Sequence, residues 1–284
     1  MEAINKFYLE DGNLQSIENY TEDTKEKGRV IYEVLRVIDG IPLFLEDHID
    51  RMAETFKLMD KSFVYTYEKV SEFAMALIEA NRVKNGNIKV TFDIKTDTMK
   101  VYSIKHSYPT EDMYINGVKS ILYHGERVNP NAKVVDSDFR KKVTIEIEKA
   151  NAFEAILIDN EGYITEGSKS NIFMVKDNIL ITPKQSKVLP GVTRKRIISI
   201  ANREEIQFEE RNISAKELKS IDAMFISGTS PKILPIFKIE DIDFNINNEI
   251  INIIKNKFNE EIHDYVNSRR YNWLLIIIYI ISLC

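Results

Sequence analysis

Cysteine is almost absent, and the single one, Cys284, is the last of 284 residues. One cysteine closes no intrachain disulfide and builds no cysteine zinc site, which fits a reducing, cytoplasmic setting. The four histidines (His48, His106, His124, His263) are scattered without metal-ligand spacing, so no metal is expected. A nucleophile elbow, a Walker loop and a dinucleotide fingerprint are all missing. Basic excess is missing too. The net charge is −5 and no basic stripe stands out, so no nucleic-acid partner is expected. The opening residues MEAINKFYLEDGN are acidic and lack an apolar core, unlike a signal peptide. The closing apolar run from Trp273 to Cys284 is shorter than the roughly 20 residues a membrane-spanning helix needs, so membrane contact is not expected. It reads as a buried or partner-binding tail, a partial anchor, or an out-of-frame extension past a natural stop near Arg270. Its abrupt onset after a polar helix favours the last.

What is present is an ordinary globular balance, with 29% charged and 44% apolar residues, long enough for two domains. Strands are expected at Lys6–Glu10 and Val30–Ile38, and alternation puts Tyr32, Val34 and Arg36 on one face. Helices follow at Glu46–Asp60 and Tyr67–Asn81, then strands at Ile88–Ile94 and Lys100–His106. In the first helix Ile49, Met52, Ala53, Phe56 and Met59 form the inward stripe, and Arg51 falls on the side usually left to solvent. Pro109–Asn116 reads as a crossing into a second unit. There, Val118–Tyr123 is a strand, Gly125–Asp138 a loop and Phe139–Asn151 a helix. The reading is α+β, with a small N-terminal α+β domain (1–115), a larger strand-rich one (116–270), and the tail 271–284.

The chain is organised around residues 154–194. Strands and turns there enclose a polar knot, Glu166-Gly167-Ser168-Lys169-Ser170-Asn171, whose burial requires partners for every polar group. Leu189-Pro190-Gly191-Val192-Thr193-Arg194 then opens a helix, with Gly191 freeing the backbone and Thr193 placed as its cap. Free amides at such a start bind phosphate readily. Arg194-Lys195-Arg196 is unfavourable at a helix N-terminus; a bound dianion offsets it, and a solvated basic face is the commoner arrangement. Lys133 is an ordinary surface lysine or, given Ala132, Val134 and Val135 around it, a partly buried amine available as a nucleophile. Glu166 either pairs with a nearby lysine or keeps a pyridine nitrogen protonated. Thr229 and Ser230 end a strand, as turn residues or as anion donors. His48 reads as a packing residue.

Together these motifs resemble the fold-type IV pyridoxal phosphate enzymes, which include branched-chain and D-amino acid aminotransferases and aminodeoxychorismate lyase. The resemblance covers residues 28–265. It implies a two-domain fold with a small N-terminal α/β sandwich and a larger strand-rich cofactor-binding domain. Tyr32-Glu33-Val34-Leu35-Arg36 and Asp47-His48-Ile49-Asp50-Arg51-Met52 are similar to the family's first motifs, implying that Arg51 grips the cofactor phosphate. Lys133 falls at the Schiff-base lysine. Glu166-Gly167-Ser168 with Asn171-Ile172-Phe173 is similar to the most specific motif, whose glutamate meets the pyridine nitrogen. The resemblance assigns phosphate contacts to Val192, Thr193 and Thr229, and substrate contacts to Tyr32 and Ser230. Two positions depart from the pattern. Asp138 stands where branched-chain members carry a tyrosine facing the cofactor's phenolic oxygen, and Ile88–Asp93 lacks an arginine often used on the substrate side. The implied activity is transamination between an amino acid and a 2-oxo acid by a homodimer, of branched-chain type. D-amino acid transamination and lyase chemistry giving 4-aminobenzoate are the alternatives. A non-catalytic binding protein on this fold is the rival of another class, and Lys133 and Glu166 argue against it.

Overall fold

Alternating and fully apolar strand segments, separated by turns, build two sheets in the computed structural model, which describes residues 2–282, with side chains for residues 2–270. The first sheet contains β1 (Ala3–Glu10), β2 (Asn13–Ser16), β3 (Val30–Ile38), β4 (Ile41–Pro42), β5 (Gly86–Asp93) and β6 (Thr98–Ile104). Their spatial order is β2-β1-β6-β5-β3-β4, all antiparallel. Helices α1 (Leu45–Leu58) and α2 (Tyr67–Ala80) cover one face, burying Ile31, Leu35, Phe56, Leu77 and Phe92. Thr66 caps α2 by accepting from Lys69 N. The other face carries Tyr32, Val34 and Arg36, as alternation predicts.

The inward stripe of α1 differs from expectation. His48, Arg51 and Thr55 are buried in it, whereas Ala53 is only half-buried. Arg51, expected toward solvent, is 8% exposed because it pairs with a carboxylate on β3.

The crossing contains a short helix, α3 (Glu111–Asn116), capped by Thr110. The second sheet then takes β7 (Val118–His124), β8 (Glu154–Ile158), β9 (Tyr163–Gly167), β10 (Asn171–Lys176), β11 (Ile179–Thr182), β12 (Phe208–Glu210), β13 (Ile213–Ser214), β14 (Ala223–Gly228), β15 (Lys232–Ile239) and β16 (Ile242–Asp243). Its order is β12-β11-β10-β14-β15-β7-β8-β9-β13, with β16 on β15. Helix α4 (Ser137–Lys149) packs Val143 and Ile147 on β7 and β8. Helices α5 (Val192–Arg203) and α6 (Glu249–Ser282) cover the face bearing Phe173 and Phe225, with Ile197, Ile254 and Phe258. The apolar run after Arg270 continues the α6 backbone. Its side chains and residues 283–284 lie outside the described residues, as does every reading that rests on them. Among the described residues no helix is long and apolar enough to cross a membrane.

Candidate active site between the two sheets

The loop before α4 docks beside β3. Tyr32 N donates to Lys133 O at 3.0 Å, and Val135 N to Val30 O at 3.0 Å. Ala132 and Val134 enter the first core. Extended-chain alternation therefore turns Lys133 the other way. Its Nζ lies 5.0 Å from the centre of the Tyr32 ring, in a cavity of about 410 Å³ between the sheets. Burial brings the Lys133 amine down to about 8, with Tyr32 and Glu33 opposing and Arg51 and Arg140 assisting. A neutral amine near pH 8 is a usable nucleophile and base.

The same cavity is lined by Arg51, Glu166, Val192 and Thr193, and by Tyr32, Thr229 and Ser230. All eight residues singled out from the sequence meet there. Glu166 is 3% exposed and held at both oxygens: Oε1 accepts from Arg127 Nη1 at 3.2 Å and Oε2 from Leu189 N at 2.9 Å. Burial pushes its carboxyl up, against the pull of Arg127 and the Leu189 amide.

The polar knot is satisfied by a residue the sequence reading passed over. Glu154 Oε1 accepts from Ser168 N at 3.1 Å and Ser168 Oγ at 2.5 Å. Its Oε2 accepts from Ser170 Oγ at 2.9 Å and Lys169 N at 3.3 Å. Asn171 Nδ2 donates to Leu189 O at 2.9 Å, tying the knot to the loop that opens α5. A Cβ on Gly191 would collide with Asn171 Oδ1, so glycine is required there by space.

Thr193 does not cap α5. Gly191 occupies the cap position without any side-chain bond, and Thr193 is already the second helical residue. The first helical bond runs from Lys195 N to Gly191 O, so the amides of Val192 and Thr193 precede any intrahelical acceptor. Of the following basic run only Lys195 is a solvated side chain. Arg194 is buried against Pro183 O and Glu210, while Lys195 and Arg196 donate to Asp47 at 2.7 and 2.5 Å.

Behind the cavity, Arg51 Nε and Nη2 donate to Glu33 Oε1 and Oε2 at 2.8 and 2.5 Å, leaving Nη1 toward Pro190 O at 3.5 Å. His48 Nδ1 donates to Glu33 Oε2 at 2.7 Å, so it serves this buried ion pair as well as packing. Burial raises the Glu33 carboxyl, but Arg51 and His48 outweigh it and hold the group at about 2. Arg36 crosses between the sheets: Nη1 donates to Ser230 O at 3.2 Å while the guanidinium stacks 3.8 Å above Tyr108. Asp138 is exposed, whereas Arg140, two residues on, lines the cavity and donates to the Tyr32 hydroxyl.

Of these added residues, Glu33 alone carried a readable signal. On β3 it shares the face of Ile31 and Leu35, and a carboxylate in that row demands a buried cation. Alternation puts Arg36 on the face of Tyr32, but its bond to Ser230 spans 194 positions and leaves no local mark. Arg127 and Arg140 lie in a loop and at a helix start, where no periodicity assigns a direction.

The fold is shared with a solved enzyme. The solved branched-chain aminotransferase of Thermoproteus uzoniensis with norvaline is similar at a TM-score of 0.81 and 24% identity, covering 90% of this chain and 94% of that one. The family follows from the sequence: the model for amino-transferase class IV matches residues 30–239, and the chain belongs to that family of enzymes. Curated relatives include a Pseudomonas aeruginosa branched-chain-amino-acid aminotransferase, 26% identical over 76% of this chain and 78% of that protein. A Bacillus licheniformis D-alanine aminotransferase is 25% identical over 75% and 80%.

Proposed function

We propose that this enzyme transfers the amino group of an amino acid to a 2-oxo acid with pyridoxal phosphate as cofactor, preferring branched-chain-type substrates. The observation that carries the reading is the single cavity shared by the Lys133 amine, the buried Glu166 carboxylate and the open amides at the start of α5. The donor set suits the cofactor. Arg51 Nη1, the amides of Val192 and Thr193, and the hydroxyls of Thr193 and Thr229 suit a phosphate dianion. Glu166, locked by Arg127 and Leu189 N, suits a protonated ring nitrogen.

Pyridoxal phosphate supplies an aldehyde carbon and a ring that accepts electrons. Lys133 is the amine that would hold that aldehyde. Its free amine would take and return the α-proton of the amino acid, and burial keeps enough of it neutral to do so. Glu166 would hold a proton on the ring nitrogen. Arg51, Thr193 and Thr229 would hold the phosphate in the cavity that Lys133 shares. Arg36 positions the Thr229–Ser230 turn from the first sheet, and Tyr32 and Ser230 face the substrate.

Borohydride reduction of protein loaded with cofactor tests the assignment. The expected result is one phosphopyridoxyl adduct on the peptide containing Lys133, absent in Lys133→Ala together with turnover. Normal turnover by Lys133→Ala would sink it. The similarity to a D-alanine aminotransferase favours a D-amino acid donor as a second reading. A panel of L- and D-amino acids with 2-oxo acid acceptors separates the two. A homodimer in the cytoplasm completes the proposal, and light scattering of the eluted protein checks the assembly.

A further inference from the structure

We infer that Arg140 is the anchor for the substrate's carboxylate, a role that rests on the transaminase reading of the cleft. An amino acid and a 2-oxo acid each bring a carboxylate, which needs a cation not already neutralised. Five basic side chains line the cavity: Arg51, Arg127, Lys133, Arg140 and Lys169. Arg51 is held by Glu33 beside the loop that opens α5. Arg127 is spent on Glu166 and on the carbonyls of Pro130 and Ala132. Lys133 is the reacting amine, and Lys169 is exposed.

Arg140 is different. Among the described residues its hydrogen bond goes to the hydroxyl of Tyr32, whose ring also lies beside Lys133 Nζ. The acids nearest to it are engaged elsewhere. Glu2 accepts from Lys89 Nζ at 2.8 Å through both oxygens, and Asp136 pairs with Lys27 at 3.0 Å and caps α4. The result is a half-buried guanidinium on the cleft wall, held by the Tyr32 hydroxyl, with donors left for an anion. One bond fixes the fork and leaves the rest to meet a carboxylate in two-point fashion. Lys89, the basic residue on the strand that lacks an arginine, cannot take this role while Glu2 covers it. The geometry also accounts for the exposed Asp138: the side chain of α4 that enters the site lies half a turn further along.

The test compares wild type with Arg140→Met and Arg140→Lys, each loaded with cofactor. Three measurements are made: kcat and KM for an amino acid and for its decarboxylated amine, the pH dependence of bound-cofactor absorbance, and the dissociation constant of 4-methylpentanoate read from that absorbance. Arg140→Met should raise KM for the amino acid and the dissociation constant of the inert acid by about 30- to 100-fold. It should lower the amine's kcat/KM by far less than the amino acid's, and Arg140→Lys should recover part of the loss. Equal losses on amino acid and amine, or a displaced absorbance profile with unchanged KM, would overturn the assignment and place Arg140 on the cofactor. A wild type that binds cofactor but transfers no amino group defeats the proposed function instead. The inert-acid measurement still decides Arg140 in that case: retained by wild type and lost in Arg140→Met supports the anchor, and equal binding by both removes it.

Discussion

Replacing Glu33 by glutamine keeps the side chain's shape and removes the charge that holds Arg51. Glu33 is 2% exposed, and its carboxyl sits at about 2 against an ordinary 4.5. A depression of that size corresponds to about 3 kcal/mol of folded-state stability at neutral pH. The figure agrees with the roughly 3–5 kcal/mol lost when one partner of a buried ion pair is deleted. Because the folded-state value is the lower one, the contribution is complete above about pH 4.5 and fades as the pH falls toward 2. At pH 3.5 about 2 kcal/mol should remain. Urea unfolding followed by circular dichroism, with Glu33→Gln beside wild type, measures this. At pH 7 the variant's midpoint should fall by about 1 M, the shift expected for a slope of a few kcal/mol per molar. The gap should narrow measurably at pH 3.5. A gap under about 0.5 kcal/mol at pH 7, the usual size of a surface effect, would refute the reasoning, as would one that does not shrink in acid.

Three further outcomes are expected. Arg127→Met leaves Glu166 buried with the Leu189 amide as its remaining partner, so its carboxyl rises further and cofactor affinity, read by absorbance titration, drops by about 10- to 100-fold; unchanged affinity would mean that Glu166 does not face the ring. Glu154→Ala strands the hydroxyls and amides of the Ser168–Ser170 segment and should cost about 3 kcal/mol of stability by the same urea assay. Burial alone would push the Tyr32 hydroxyl up, but Arg140, Lys133, Arg127 and Lys89 outweigh it and bring it to about 7. Above that pH the phenolate pairs with Arg140 and competes with a substrate carboxylate, so KM should climb, whereas Tyr32→Phe should show no such rise.

Local pattern carried much of this site. Lys133 faces the cleft because Ala132 and Val134 on either side are core residues, and that triplet is visible in the chain as written. Tyr32 and Arg36 follow from simple alternation along β3. Ser168 and Ser170 sat in a segment whose burial demanded partners, although the partner, Glu154, was not identified in advance. What stayed hidden was pairing at a distance. Glu33 meets Arg51 across 18 positions and Glu166 meets Arg127 across 39, and no periodic signal links such residues. The solvent side assigned to Arg51 failed for this reason. Helical spacing places a residue on a face, but only its partner decides whether a charge is tolerated there.

Charge distribution joins these findings. The chain as a whole is acidic, yet the cavity is lined by five basic side chains and two acidic ones, Glu154 and Glu166. Both acids already accept hydrogen bonds, and two charges do not neutralise five. The surplus is also divided in space. Arg51 is braced from the core-facing side of β3 by Glu33, and Arg140 from the cleft-facing side by Tyr32, adjacent residues whose side chains leave the strand in opposite directions. A ligand with one anionic end would engage only one of these stations. A phosphate at the first and a carboxylate at the second satisfy both, with Lys133 in electrostatic reach of each. It follows that inorganic phosphate and a simple carboxylic acid should bind the cofactor-free protein together, each without displacing the other. Mutual exclusion between them would mean that Arg51 and Arg140 serve a single anion, and the division of the cleft argued from β3 would fall.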